Sequence, residues 1–277
     1  MMNYNKHSKI IDGRVYNLYY TRDDVPKYEK EMVEYAQMAK RFMNKPFNTP
    51  LAIVGNYDWH EKFPYEKYLF YDQMTNNLLV PADSKISDFG CGPGRMVNRA
   101  KKIFNTVDGI DISEYAIDYA RTHFPGSTFY ISSGIDVGES PDDHYDLIFS
   151  TIAIQHIPCK SIRKNIFRGI YNSLKPGGYM SIQIAYHPTM TAGVWSADTE
   201  HASYDSDFWN AKATNGHADM IINKNDITTL EADLFEIFNS VPNFYFENVS
   251  NKYANLNGSY HAPYWAEDWL FIQVRKA

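Results

Sequence analysis

The sequence predicts an α/β fold built on a doubly wound, mostly parallel sheet. From Ile86 to Tyr186, short apolar runs alternate with segments of helical periodicity, the pattern that lays crossover helices on parallel strands. The first of those runs ends in Ile86-Ser87-Asp88-Phe89-Gly90-Cys91-Gly92-Pro93-Gly94, with a glycine at every second position directly before a helix. A second acid, Asp111, closes the next apolar run, Val107 to Ile110. Strand, glycine loop, helix, strand and acid is the layout of a nucleotide-type cofactor site in a βαβ unit.

The elements follow in order. Lys9 to Tyr16 places Asp12-Gly13 between two β-prone runs, which predicts a hairpin. Asp23-Asp24-Val25-Pro26 can start a helix reaching about Asn44, with Met32, Tyr35, Ala36, Ala39, Phe42 and Met43 on one face. Lys45-Pro46 and Thr49-Pro50 end it, and a second helix is expected from about Tyr65 to Leu79. Residues 1–80 thus read as an N-terminal hairpin and helical cap, and 81–277 as the main domain. In the latter, a helix is expected from about Arg95 to Phe104, and another from Ser113 to near His123. Strands are expected at Thr128–Ile131 and Asp146–Ser150, and a fifth begins after the Pro176-Gly177-Gly178 turn. From Tyr186 the pattern loosens, and the stretch at about 186–226 reads as a lid-like insertion. A helix at Ile227–Phe238 and strands at Asn243–Val249 and Trp269–Val274 complete the chain.

Composition narrows the function classes. Hydrophobic residues make up 44% of the 277, enough for a full core, and the net charge is −6. No dense Lys/Arg cluster is present, which argues against a sequence-independent grip on nucleic acid. No apolar leader and no run of about 18 apolar residues is present, so no membrane partner is expected and a cytoplasmic protein is the default. The two cysteines, Cys91 and Cys159, do not form a disulfide framework, and Cys91 reads as a small filler within the glycine loop. The sequence carries no signature of oligomeric state.

The glycine spacing selects among cofactors. A dinucleotide site uses Gly-x-Gly-x-x-Gly, whereas this loop reads Gly90-x-Gly92-x-Gly94 with Asp88 two residues ahead. That spacing, with Asp88 in front, resembles motif I of the class I S-adenosylmethionine-dependent methyltransferases. Gly109-Ile110-Asp111-Ile112-Ser113 resembles their second motif, and Asp146-Leu147-Ile148-Phe149-Ser150 with the following run to His156-Ile157 resembles a later one. Ser173-Leu174-Lys175-Pro176-Gly177-Gly178 resembles the family's turn into the fifth strand. The likeness is strong over residues 84 to 185 and weak beyond.

The resemblance implies a seven-stranded, mostly parallel sheet with an antiparallel C-terminal edge hairpin and one reversed edge strand. It also implies S-adenosylmethionine as cofactor. Gly90, Cys91, Gly92 and Gly94 would seat its methionine moiety, and Asp88 would attract the ammonium directly or through water. Asp111, with Ile112 beside it, would accept from the ribose hydroxyls, a charge-assisted pair of bonds. Ser133, Gly134 and Ile135 occupy the turn that meets the adenine, and Ser150 ends the strand beneath. One of Tyr57, Trp59, Tyr65, Tyr68 and Tyr71 is expected to touch the cofactor, since N-terminal helices in the family often close over it.

On the acceptor side, His156 sits just past the fourth strand, where a general base would reach a methyl acceptor. A histidine that only packs or bonds backbone fits the same position, and His187 and His261 are rivals for the base. Ser150 and Thr151 stand where a metal-dependent relative would need carboxylates, so no metal is expected. Ser150-Thr151-Ile152-Ala153 also differs from the Asn/Asp-Pro-Pro-Tyr/Phe run that accompanies methylation of nucleic-acid amines. The expected function is metal-independent methylation of a small molecule, with a sugar or secondary-metabolite hydroxyl as acceptor. A small amine as acceptor, or a non-catalytic cofactor-binding regulatory protein, stays open as an alternative.

Overall fold

The computed structural model describes residues 4–21, 29–44, 63–189, 193–196, 199–205, 218–248 and 268–277. Seven strands form the central sheet: β3 (Lys85–Phe89), β4 (Thr106–Asp111), β5 (Phe129–Ile131), β6 (Tyr145–Ser150), β7 (Leu174–Tyr186), β11 (Asn243–Asn248) and β12 (Asp268–Arg275). Their order is β11-β12-β7-β6-β3-β4-β5. β7, β6, β3, β4 and β5 pair in parallel, while β12 is antiparallel to both β7 and β11. The reversed strand therefore lies one place in from the edge. The edge itself is β11, which pairs antiparallel with β12 and so runs parallel to the rest.

Because successive residues of a strand face opposite ways, the sheet feeds two cores. On one face Phe89, Ile148, Ile182, Ile184, Leu270 and Ile272 pack with α1 (Glu29–Met43), α5 (Lys160–Ser173) and α6 (Ile227–Phe238). On the other, Ile86, Leu147, Phe149, Trp269 and Phe271 pack with α2 (Tyr65–Leu69), α3 (Arg95–Ala100) and α4 (Glu114–His123). β6 illustrates the division: Leu147 and Phe149 enter one core, Ile148 the other.

The N-terminal hairpin forms as its sequence requires. β1 (Asn5–Ile11) pairs with β2 (Arg14–Tyr20) through Asp12 at φ 52 and Gly13 at φ 74, the two left-handed residues a tight hairpin needs. Met32, Val33, Tyr35 and Ala36 of α1 are buried; the side chains of Phe42 and Met43 lie outside the described ones, as do residues 22–28.

The helix expected over Tyr65 to Leu79 stops at Leu69. Asp72 Oδ1 accepts from the Met74 amide at 2.9 Å and the Thr75 amide at 2.8 Å, and Asn77 O accepts from the Asp72 amide. An Asp that satisfies nearby amides in this way offers the backbone a turn in place of another helical turn. α3 is likewise shorter than expected, ending at Ala100 in a tightened turn. After β7, the loosely patterned stretch holds β8 (Gly193–Ser196), β9 (Thr199–Ser203) and β10 (Ala218–Ile221), which form a separate three-stranded sheet. β10 packs against the 3-10 turn that follows β6.

Candidate active site

The site is built where β3, β4, β5 and β6 end together. Gly90, Gly92 and Gly94 have φ of 77, 52 and 97, a left-handed backbone that residues with a Cβ seldom adopt. Each also has a different spatial demand. A Cβ at Gly90 would collide with the Ala153 Cβ, and one at Gly94 with the Phe124 ring, whereas one at Gly92 would meet nothing within 4 Å. Gly92 therefore faces open space, and its two neighbours let the loop press against the 3-10 turn and α4. The Gly90 amide donates to Ile110 O at 2.8 Å, and the Gly94 amide closes the loop on Cys91 O at 3.0 Å. Cys91 is buried with its sulfur against Gly109, and burial pushes its thiol well above the usual range.

Two acids flank this loop. Asp111 Oδ2 accepts from the Gly92 amide and Oδ1 from the Ser113 amide, each at 2.8 Å. The carboxylate is half-buried and keeps further lone pairs for other donors. Burial raises its pKa, opposed by those backbone hydrogen bonds. Asp88 is 1% exposed and its Oδ1 has no hydrogen-bond partner. Burial pushes its carboxyl up to about 8, with the Arg95 charge pulling down and the Asp111 charge adding to the rise. An orphaned buried carboxylate oxygen beside an open glycine fits a ligand that brings a cation.

Beyond β5, Gly134 has φ 102, and a Cβ there would lie 2.8 Å from Ile112 Cδ1 and 3.5 Å from the Ala36 Cα of α1. The cap helix therefore closes over the ends of β4 and β5, reinforced by Lys40 on Glu114 at 2.7 Å. Ser133 is buried with an unpartnered Oγ, while its amide donates to Asp136 Oδ1. Ile135 lies in the core, with its carbonyl taken by Asn165 Nδ2.

The sequence reading missed Asp136, which is fully buried. It also receives the Gly138 amide at 2.9 Å and, through Oδ2, the Asn17 amide at 2.8 Å. Its position after Ser-Ser-Gly-Ile marks a turn, but the bond to Asn17 spans 119 residues and has no local signal.

On the other side of the loop, Ser150 Oγ donates to Phe89 O at 2.7 Å, locking the end of β6 to the end of β3. The chain then turns through Ile152, at φ 67 a position that a β-branched residue occupies only under strain. The Ile152 amide donates to Gln183 Oε1 at 2.9 Å, and the Ala185 amide to Gln155 Oε1 at 3.0 Å. These bonds hold the 3-10 turn Ala153–His156 against β7 and leave half-buried His156 at its end.

Residues 86–178 match the family model of a methyltransferase domain. Over that stretch the chain is similar to methyltransferase domains. An uncharacterized methyltransferase of Mycobacterium bovis is 23% identical over 48% of this chain and 66% of its own length. A trans-aconitate 2-methyltransferase of Variovorax paradoxus is 27% identical over 46% of this chain and 50% of its own. A ubiquinone biosynthesis O-methyltransferase of Hydrogenovibrio crunogenus is 26% identical over 34% of this chain and 40% of its own. The chain spans two thirds or less of the length of these relatives.

The residues fit S-adenosylmethionine, the cofactor that the resemblance implies. The orphaned Asp88 oxygen suits the methionyl ammonium, open Gly92 the methionyl chain, and the remaining lone pairs of Asp111 the ribose. Of the five N-terminal aromatics, Tyr57 and Trp59 lie outside the described residues. Tyr65 and Tyr68 are buried against Trp269 and Phe271, and Gln273 Nε2 donates to the backbone of Tyr68 and Tyr71. His187 is half-buried at the end of β7, and His261 lies outside the described residues. No helix among the described residues is long and apolar enough to cross a membrane.

Proposed function

We propose that this chain transfers a methyl group from S-adenosylmethionine to a hydroxyl oxygen of a small molecule, a sugar or secondary metabolite, without a metal. The observation that carries the reading is the placement of His156, at the end of a one-turn helix that strained Ile152 and two glutamines fix beside the glycine loop. Preorganised strain of this kind clusters where geometry serves chemistry. β10 packs against the same turn, which supports the insertion as the cover of the acceptor side.

The cofactor supplies a methyl group already activated on a sulfonium, so the chain's work is alignment and exclusion of water. Asp88 and Gly90 to Gly94 would hold the methionyl end, Asp111 with Ile112 the ribose, and Ser133 to Ile135 the adenine, with Ser150 fixing the loop from below. His156 would accept the hydroxyl proton of the acceptor at a ring nitrogen as oxygen takes up the methyl group, and release it to water afterwards. The O-methyltransferase name of the Hydrogenovibrio crunogenus relative supports oxygen over nitrogen. Ser150 and Thr151 at the end of β6 bring no carboxylate for a metal, which supports metal independence.

The test is a panel of small hydroxylated and aminated acceptors with methyl-labelled S-adenosylmethionine in excess chelator. Label on oxygen is expected; label on nitrogen, or turnover that returns only with a divalent ion, would overturn the finer reading.

A further inference from the structure

Among the described residues β2 pairs with β1 alone, yet the backbone groups on its outer edge are satisfied. The Asn17 amide donates to Asp136 Oδ2 at 2.8 Å, and Asn17 O accepts from Asn165 Nδ2 at 3.0 Å. The Tyr19 amide donates to Asn165 Oδ1 at 2.8 Å, and Tyr19 O accepts from Arg168 Nη1 at 3.4 Å. Side chains from the turn after β5 and from α5 thus stand where a neighbouring strand would stand.

Two of those side chains also shape the turn after β5. Fully buried Asp136 takes the Ser133 and Gly138 amides on Oδ1, each at 2.9 Å. Asn165, 3% exposed, donates from Nδ2 to Ile135 O as well. Asn17 Nδ2 adds a bond to Gly138 O at 3.0 Å. Packing is equally close, since a Cβ at Gly169 of α5 would lie 2.8 Å from the Tyr19 ring and 3.1 Å from Val137 Cγ2. If the hairpin lifted away, Asp136 Oδ2 and the Asn165 amide would lose partners in a buried place. That cost is relieved only by opening the turn that both residues hold.

We propose that Asp136 and Asn165 are positioning residues for the cofactor's adenine, and that through them the docked N-terminal hairpin is required for tight cofactor binding. The inference rests on the S-adenosylmethionine reading above, which gives Ser133 to Ile135 to the adenine. Neither side chain has to touch the cofactor. Each fixes the turn from behind, with the hairpin as its second partner. Linkage makes the effect reciprocal: if docking tightens cofactor binding, bound cofactor holds the hairpin down by the same factor.

Amide hydrogen exchange of the wild-type protein, followed by NMR with and without saturating S-adenosylhomocysteine, tests this. The Asn17 and Tyr19 amides are expected to slow at least fivefold more than the amides of β11, which lies at the opposite edge of the sheet. Equal slowing at both edges, or none at Asn17 and Tyr19, in a protein that binds the compound would overturn the proposal. Asn165→Ala, with folding checked by near-ultraviolet circular dichroism, is expected to bind S-adenosylhomocysteine at least fivefold more weakly and to lose the extra protection of Asn17. A folded variant with a lower melting temperature but wild-type affinity would make the network purely structural and overturn the proposal. A wild-type protein that binds no S-adenosylhomocysteine contradicts the cofactor reading itself, an outcome distinct from binding without hairpin protection. The exchange comparison needs no substitution, so it decides the matter even if the variant fails to fold.

Discussion

The Gly92 amide donates to Asp111 Oδ2 at 2.8 Å, so the glycine loop after β3 is tied to the acid at the end of β4. The other Asp111 oxygen receives the Ser113 amide and fixes the start of α4, where Ser113 Oγ caps the helix by accepting from Ala116. One carboxylate thus shapes the loop and starts a helix, and it is the group proposed above to hold the ribose. A ligand bound at Asp111 would therefore act on the loop geometry as well.

Asp88 makes stability depend on pH in a defined direction. Its folded pKa is about 8, against 3.8 as the reference value. As pH rises between those values, the unfolded chain gives up this proton while the folded chain keeps it. The site therefore favours folding least above pH 8. In the absence of cofactor, Asp88→Asn is expected to gain thermal midpoint relative to wild type as pH rises from 6 to 9. Parallel melting curves across that range would contradict the buried, raised carboxyl.

Gly90→Ala is expected to cost about 2–4 kcal/mol in urea unfolding. The cost combines a collision with the Ala153 Cβ and a positive φ that alanine tolerates poorly. Adding Ala153→Gly should recover part of the loss, because it removes the collision and leaves the backbone penalty. Strictly additive costs in the double mutant would show that the two residues do not meet.

His156→Ala is expected to lower kcat by about 10²-fold or more while the dissociation constant for S-adenosylhomocysteine stays within about twofold, the signature of a general base. A variant with wild-type kcat would make the histidine structural.

The legible parts of this protein are those with local causes. The Asp12-Gly13 hairpin, the Ser113 cap and α6 at Ile227–Phe238 follow from turn chemistry, capping and periodicity, each written within a few neighbouring residues. The glycine run was readable because its backbone angles exclude most other residues. The Tyr65–Leu79 helix was misread because periodicity does not register an Asp72 that gathers two amides into a turn. The reversed strand was expected at the edge, but strand order depends on how β11 and β12 return to the sheet, which no local pattern encodes. Asp136 was invisible for the same reason, since its partners are brought together only by packing.

The central claim is that the loop from Gly90 to Gly94 and Asp111 form the S-adenosylmethionine site. Calorimetric titration of wild type and Asp111→Ala with S-adenosylhomocysteine, with folding of both checked by circular dichroism, tests it most directly. One site per chain is expected in the wild type, and at least tenfold weaker binding in a folded Asp111→Ala, the equivalent of about 1.4 kcal/mol from lost charge-assisted bonds. Equal affinity in the two folded proteins would contradict it.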